Sequence, residues 1–352
     1  MNKNQNMYII ALMSGTSLDG VDLVYVRFDE LNDFKIMESE TIPYSDYWIS
    51  QLKNIASIPK GNQQLLTLDV ELGVYFANLI GSFIESKNIS KINLIASHGH
   101  TVHHQPEKGY TLQIGCGKEI HNKTSIKTVY DFRTQDIALG GQGAPLVPVG
   151  DQLLFLQYDY CLNLGGFSNV SFEECGERKA FDICPVNIVL NYYANQLGFP
   201  FDDKGVLSKK GKINRELLRE LNELDFYKLL IPKSLGVEFV KKEIVPLILK
   251  YNLIEIDVLR TFVEHIAIQI SEKLKKGTVL VTGGGAYHEF LLNRVRQLNS
   301  NLTLIVPESK IVEYKEALIF ALLGKLRVES KINCLSSVTG AKRNHSSGVV
   351  FG

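Results

Sequence analysis

Two stretches of the chain follow one plan, and that repetition is the strongest limit on its fold. Residues 8–12 and 21–28 are short apolar runs joined by Met13-Ser14-Gly15-Thr16-Ser17-Leu18-Asp19-Gly20. The second run alternates apolar and polar side chains at first, as a strand with one buried face does, and both runs are too short for an ordinary helix. The segment predicts a β-hairpin closed by a small polar turn. Gly15 and Gly20 permit positive φ and close backbone approach; Thr16 and Ser17 add hydroxyls, and successive N–H groups can form an anion-binding nest. The loop from Gly15 through Leu18, Gly20 and Val21 to Asp22 is therefore a candidate nucleotide loop, with Asp19 and Asp22 placed to hold Mg²⁺ beside a polyphosphate. The plain alternative is a decorated hairpin turn. Residues 160–172 repeat the order, strand, then Gly165-Gly166-Phe167-Ser168-Asn169, then strand. Two such turns, about 150 residues apart, predict a duplicated unit with a phosphate loop in each half.

A third glycine cluster, Gly283-Gly284-Gly285, ends a buried-type strand (278–281) and opens a helical stretch (288–298). That order suits a nucleotide lying against a strand-to-helix turn. G-x-G-x-x-G is absent there, which sets aside a dinucleotide dehydrogenase. Elsewhere the pattern predicts strands at 35–42, 92–96, 110–114, 127–130, 178–181, 302–306 and an edge strand at 349–351. Helices are predicted over 63–86, 146–157, 186–197, 214–224, 237–249, 257–275 and 313–326. The expected division is a first domain over 1–158 and a second over 159–352, with the tail 329–352 free to return to the first.

With 352 residues and a formal net charge of zero, nothing points to nucleic acid or an anionic membrane surface. Cysteines 116, 161, 175, 184 and 334 are odd in number and form no C-x-x-C, so a reduced cytoplasm is expected rather than a disulfide framework or a zinc site. No signal peptide is visible, and no stretch reads as a transmembrane helix.

Ser97-His98-Gly99-His100-Thr101-Val102-His103-His104 falls where strand 92–96 is expected to stop. Its histidines invite a metal, yet no nearby acid or thiol completes a site. The C-terminal edge of an α/β sheet is where ligands lie, so His98, His100 and Thr101 are candidates to hydrogen-bond a substrate. Arg133 follows a strand, and its planar fork suits a carboxylate. Asp182 is read as ending a strand just before Asn187 starts a helix. It is either a turn or cap residue or a carboxylate aimed into a cleft, with the helix N-terminus facing anions.

Taken together, MSGTSLDGVD (13–22), SHGHT (97–101), DFR (131–133), GGQGAPLVP (140–148), NLGGFSN (163–169), FD with PVN (181–187), TGGG (282–285) and KEALIFALL (315–323) resemble the anhydro-N-acetylmuramic acid kinases. The resemblance runs from residue 9 to the C-terminus. It implies a two-domain α/β fold of the actin-like, ribonuclease H-like sugar kinase kind with an interdomain cleft. It also implies ATP and Mg²⁺ as cofactors and a small-molecule amino sugar as partner, and it leaves a homodimer open. The implied reaction opens the 1,6-anhydro ring with water and phosphorylates O6, in the recycling of cell-wall sugars. By the same resemblance Asp182 is the general base, Arg133 lies in the sugar site, and Asn187 and Glu316 are substrate contacts, Glu316 also being the next candidate base.

Three departures stand out. Ile183-Cys184-Pro185-Val186 replaces the family's Thr-Gly-Pro-Gly, Cys116 stands where Asp is common, and His100 where Gln is. They bear on sugar specificity more than on the nucleotide site. A kinase for another amino sugar or hexose, and an Hsp70-like ATPase module without sugar chemistry, are the alternatives. A chaperone ATPase would need a peptide-binding domain, and no residues are left over for one.

Overall fold

The computed structural model describes residues 6–15, 18–29 and 33–352, the Ala56 side chain aside. Their contacts form two units, Met1–Phe155 with Tyr314–Gly352, and Leu156–Glu313. Where the sequence reading lets only the tail 329–352 return to the first domain, the contacts group everything from Tyr314 onward with the first unit. The reason is packing. The ring of Phe320 lies 5.4 Å from Phe132 and 4.5 Å from His98, and the bare backbones of Gly150 and Gly324 make room for Ile319 and Ala96.

In the first unit β1 (Met7–Ser14), β2 (Val21–Phe28) and β3 (Phe34–Ile42) run antiparallel in sequence. β4 (Leu94–Gln105) lies parallel to β1, and its outer part pairs with β5 (Tyr110–Ile114). β6 (Thr128–Tyr130) is parallel to β4, and the terminal strand Val349–Phe351 closes that edge antiparallel. Ile9, Ile10, Ala11 and Leu12 are fully buried because β1 is central and covered on both faces.

The helix Gln63–Ser86 supplies the crossover between β3 and β4. Leu65, Leu68, Leu72, Phe76, Ile80 and Phe83 recur at helical spacing and are buried, each such side chain contributing about 1.5–3 kcal/mol. This helix corrects the expectation about membrane spans: its 24 residues are long and apolar enough to cross one by length and composition. In the structure it is an amphipathic core helix, with Asp69 accepting a hydrogen bond from Gly115 N–H at 2.7 Å.

β4 also differs from expectation. It does not stop at Ser97 but continues to Gln105, because β5 supplies a second partner where β1 ends. Gly99, at φ +73°, marks the handover. Its added Cβ would lie 2.6 Å from the Ile114 carbonyl oxygen, so glycine is required there. The histidines therefore sit within a strand, not on a turn.

The second unit repeats the order. β7 (Tyr160–Leu164), β8 (Phe167–Glu174) and β9 (Glu177–Pro185) are antiparallel neighbours, β10 (Gly277–Thr282) is parallel to β7, and β11 (Leu302–Ile305) is parallel to β10. In each sheet the first strand of the meander is flanked by its second strand and by the next parallel strand, so the duplication read from the two hairpins is a duplication of fold. β9 runs past the expected 178–181 to Pro185 through a bulge, so Asp182 lies inside a strand instead of at its end. The predicted helix 237–249 is broken into Val237–Phe239, a π-turn Val240–Ile244, and Val245–Leu249. Pro246 has no N–H to continue an α-ladder, which favours that irregular turn.

His265, on the helix Glu255–Lys273, is fully buried between Asn222 and Tyr227. Nδ1–H donates to Asn222 Oδ1 at 2.7 Å, which leaves Nε2 to accept from the Tyr227 hydroxyl at 2.9 Å. Burial pushes its pKa down to about 3. Unfolded, the ring titrates near ~6.5, so between those values the unfolded chain binds more protons and stability falls as pH falls. Between about pH 7 and about pH 5, the melting temperature of His265→Gln should drop less than that of the wild type; equal drops would contradict this.

Candidate functional site

Each unit carries sequence-predicted site residues. In the first unit Gly15 and Leu18–Gly20 form the turn after β1; Thr16 and Ser17 lie outside the described residues. Leu18 holds φ +61°, a left-handed conformation uncommon outside glycine and Asn. Gly20 lies so close to β3 that a Cβ would meet the Ile42 carbonyl oxygen at 2.7 Å. Val21 is buried in β2. Asp19 is exposed, and Asp22 Oδ1 accepts a hydrogen bond from Thr41 Oγ1 at 2.6 Å.

His98 and His100 on β4 act as neutral connectors. His98 Nδ1–H donates to the Gly99 carbonyl at 3.0 Å, so Nε2 is the acceptor for Arg133 Nε and Nη2, at 3.0 and 2.9 Å. Burial and the adjacent guanidinium hold His98 well below its ordinary pKa. Arg133 Nη1 donates to the Gly143 carbonyl at 2.7 Å. Three contacts thus fix the plane of the fork. His100 Nδ1 meets Ser14 Oγ at 2.9 Å, and Ser14 Oγ meets Tyr44 Oη at 2.6 Å; burial lowers its pKa to about 4. Thr101 Oγ1 accepts from Gln113 Nε2 at 3.3 Å.

Glu316, on the helix Ser309–Val328, keeps solvent access in a crowded setting. That crowding raises its pKa, Arg133 opposes the shift, and the charge of Asp22 adds to it. Repulsion between Asp22 and Glu316 is what a divalent cation would relieve, and carboxylate oxygens are its preferred ligands.

In the second unit two of the glycine turns meet. Asn187 Nδ2 donates to the Leu164 carbonyl at 3.2 Å, and Gly284 and Gly285 lie against the Asn187 amide. Gly283 N–H bonds to the Val312 carbonyl at 3.2 Å. Gly165, Gly166, Asn187 and Gly283–Gly285 are therefore one cluster at the C-terminal ends of β7 and β10.

The expectation that the helix N-terminus faces anions needs correction. The N–H groups of Asn187 and Ile188 bond the carbonyls of Gly165 and Gly166 at 3.2 Å, so the hairpin turn itself caps the helix Asn187–Gln196. Ser168 is fully buried, and its hydroxyl is held by the backbone N–H and C=O of Cys184 at 3.1 and 2.9 Å, closing the bulge. Asn169 pairs with Asp182 across the two strands.

Asp182 is gripped by residues that sequence reasoning passed over. Its N–H donates to the Lys233 carbonyl at 3.0 Å, and Leu235 N–H donates to Oδ2 at 2.7 Å. Both are backbone contacts from a distant loop, so no side-chain signal could have revealed them. Burial raises the Asp182 pKa, with the Leu235 bond pulling the other way. A carboxylate moved up in this way is a better proton acceptor than an ordinary aspartate.

Two units built on one ribonuclease H-like strand order, with a glycine turn at the mouth of each sheet and a pKa-raised aspartate beside one of them, define a duplicated α/β protein of the phosphotransferase type. The family model for anhydro-N-acetylmuramic acid kinase matches residues 7–352, and the chain belongs to that family. It is similar to the anhydro-N-acetylmuramic acid kinase of Mannheimia succiniciproducens, at 35% identity over 98% of both chains. It is also similar to that of Shewanella pealeana, at 34% over 96% of both. Among solved structures it is similar to component A of the (R)-2-hydroxyglutaryl-CoA dehydratase of Acidaminococcus fermentans, at 13% identity and a TM-score of 0.47, over 92% of this chain and 99% of that one.

Proposed function

We propose that the chain phosphorylates 1,6-anhydro-N-acetylmuramic acid from ATP while opening its anhydro bridge with water. The observation that carries this reading, beside family membership, is Asp182: a carboxylate held by one backbone N–H, with burial raising its pKa. Asp182 takes a proton from the water as its oxygen bonds to C1. The C1–O6 bond breaks, O6 takes the γ-phosphoryl group, ADP leaves, and the proton on Asp182 returns to solvent. Arg133, its fork oriented by His98 and Gly143, binds the lactyl carboxylate; His100, Thr101, Asn187 and Glu316 position the sugar. The turns at Gly15–Asp22, Gly165–Asn169 and Gly283–Gly285 receive the nucleotide. Asp19 and Asp22 would hold Mg²⁺, which supplies charge neutralisation at the phosphates.

The sequence departures beside the base do not favour another sugar. Ile183, Cys184 and Val186 are fully buried in the core of the second unit, the Cys184 sulfur against the Ser168 hydroxyl at 3.2 Å. The Cys184 thiol, pushed up to about 12 by burial, is no nucleophile. ADP release should be fastest with 1,6-anhydro-N-acetylmuramic acid among that sugar, N-acetylmuramic acid, N-acetylglucosamine and glucose. Turnover of any of the others without turnover of the first would refute the reading. Asp19→Asn should raise the Mg²⁺ concentration needed for half-maximal turnover and leave the melting temperature unchanged, because an exposed turn carboxylate adds little to the core. An unaltered Mg²⁺ dependence would remove Asp19 from that role.

A further inference from the structure

Asp136, Cys334 and His345 come from distant parts of the first unit into one buried cluster, with one ligand-type atom of each lying within 4.8 Å of the other two. The geometry is set by the backbone. Cys334 and His345 pair as an isolated antiparallel bridge, with N–H to carbonyl bonds in both directions at 3.1 and 3.2 Å. Residues directly opposite in such a bridge share a face. Both side chains meet Asp136, which stands fully buried on the helix Thr134–Ala138. Cys334 Sγ lies 3.0 Å and His345 Nε2 3.6 Å from Asp136 Oδ1.

The imidazole of His345 is the unpartnered group of this cluster. His345 Nδ1 is 3.1 Å from the Arg343 carbonyl, which only accepts, so Nδ1 carries the proton. Nε2 has no hydrogen-bond partner, and the ring is more than nine-tenths buried. It faces a carboxylate oxygen at 3.6 Å. The remaining contacts are the outer partners that orient metal ligands: Gly143 N–H to Asp136 Oδ2 at 2.7 Å, Thr339 Oγ1 to Asp136 Oδ1 at 2.8 Å, and the Arg343 carbonyl on the ring. Tetrahedral zinc bonds of roughly 2.0–2.3 Å place their ligand atoms about 3.3–3.5 Å apart, a spacing that the 3.0 and 3.6 Å to Asp136 Oδ1 bracket.

We propose that Asp136, Cys334 and His345 bind one Zn²⁺-class ion through oxygen, sulfur and nitrogen, with water in the fourth position. Binding releases the Cys334 thiol proton to solvent, while Asp136 and the neutral imidazole enter as they stand. A thiolate with an imidazole selects zinc over magnesium, so this site is separate from the Mg²⁺ of the nucleotide. It staples the terminal segment carrying Cys334 and His345 to the glycine-rich loop after Asp136. Without a C-x-x-C pair the site is invisible to sequence spacing.

The test is a Co²⁺ titration of the chelator-stripped, reduced full-length chain. One equivalent should give a thiolate-to-cobalt charge-transfer band in the near ultraviolet with the intense visible bands of four-coordination, and Zn²⁺ should bleach both. Cys334→Ser should abolish the charge-transfer band. Should that variant fail to fold, X-ray absorption on the zinc-loaded wild type decides: one sulfur at about 2.3 Å with nitrogen and oxygen at about 2.0–2.2 Å supports the site. No cobalt spectrum, or a zinc shell without sulfur, overturns it and leaves an imidazolium–carboxylate pair in its place.

Discussion

Asp182→Asn should lower kcat by roughly 10²–10⁴-fold, the usual loss on removing a general base, equivalent to about 3–5 kcal/mol of barrier. The asparagine amide oxygen can still accept from Leu235 N–H, so the loop and the fold should survive. ATP and sugar should still bind, because what is lost is the capacity to take a proton. Water addition at C1 and phosphorylation of O6 should fall together, since the opening ring couples them. In the wild type, the raised pKa of Asp182 puts the acid limb of the kcat profile above the ordinary carboxylate range. Near-normal kcat in the variant would move the base elsewhere, with Glu316 the next candidate. Loss of sugar binding with kcat retained would make Asp182 a positioning residue.

Gly283→Ala should be the most damaging alanine substitution in the glycine turns of the second unit. Gly283 holds φ +79°, and its added Cβ would lie 2.6 Å from Asn163 Oδ1 and 2.9 Å from the Leu164 carbonyl group. Strain at such a φ costs about 1–3 kcal/mol, and forcing atoms into packed backbone a further ~1–3 kcal/mol. Its neighbour is the control: a Cβ on Gly284 would meet only Asn187 Nδ2, at an ordinary 3.6 Å. Thermal unfolding should show a large fall for Gly283→Ala and little change for Gly284→Ala. Equal melting temperatures would mean the turn is not held as described. The nucleotide KM should rise in the first variant, because the turn carries Gly284 and Gly285.

The duplicated hairpins were legible in the sequence because strand periodicity and turn glycines are local signals. The buried stripe on the helix Gln63–Ser86 was legible for the same reason. What escaped depended on partners far along the chain. The run of histidines reads as a turn until β5 is seen to extend β4. Asp182 reads as a strand end until the Ser168 hydroxyl closes a bulge around Cys184 and carries β9 to Pro185. The helix start at Asn187 reads as an anion site, but Gly165 and Gly166 turn their carbonyls toward it. The π-turn at Val240–Ile244 was half-signalled by Pro246. The Asp136 cluster left no trace, since Asp136 lies 198 residues before Cys334.

The most direct test of the account is the fate of oxygen when the chain turns over ATP and 1,6-anhydro-N-acetylmuramic acid in ¹⁸O-water. In the proposed reaction, water activated by Asp182 attacks C1, and the phosphoryl group passes to the sugar's own O6. Mass spectrometry should therefore find one ¹⁸O in the product sugar 6-phosphate, at C1, when it is measured before anomeric exchange, with none in the transferred phosphoryl group. A phosphorylated product without label, or no turnover of this sugar, would contradict the coupled reaction.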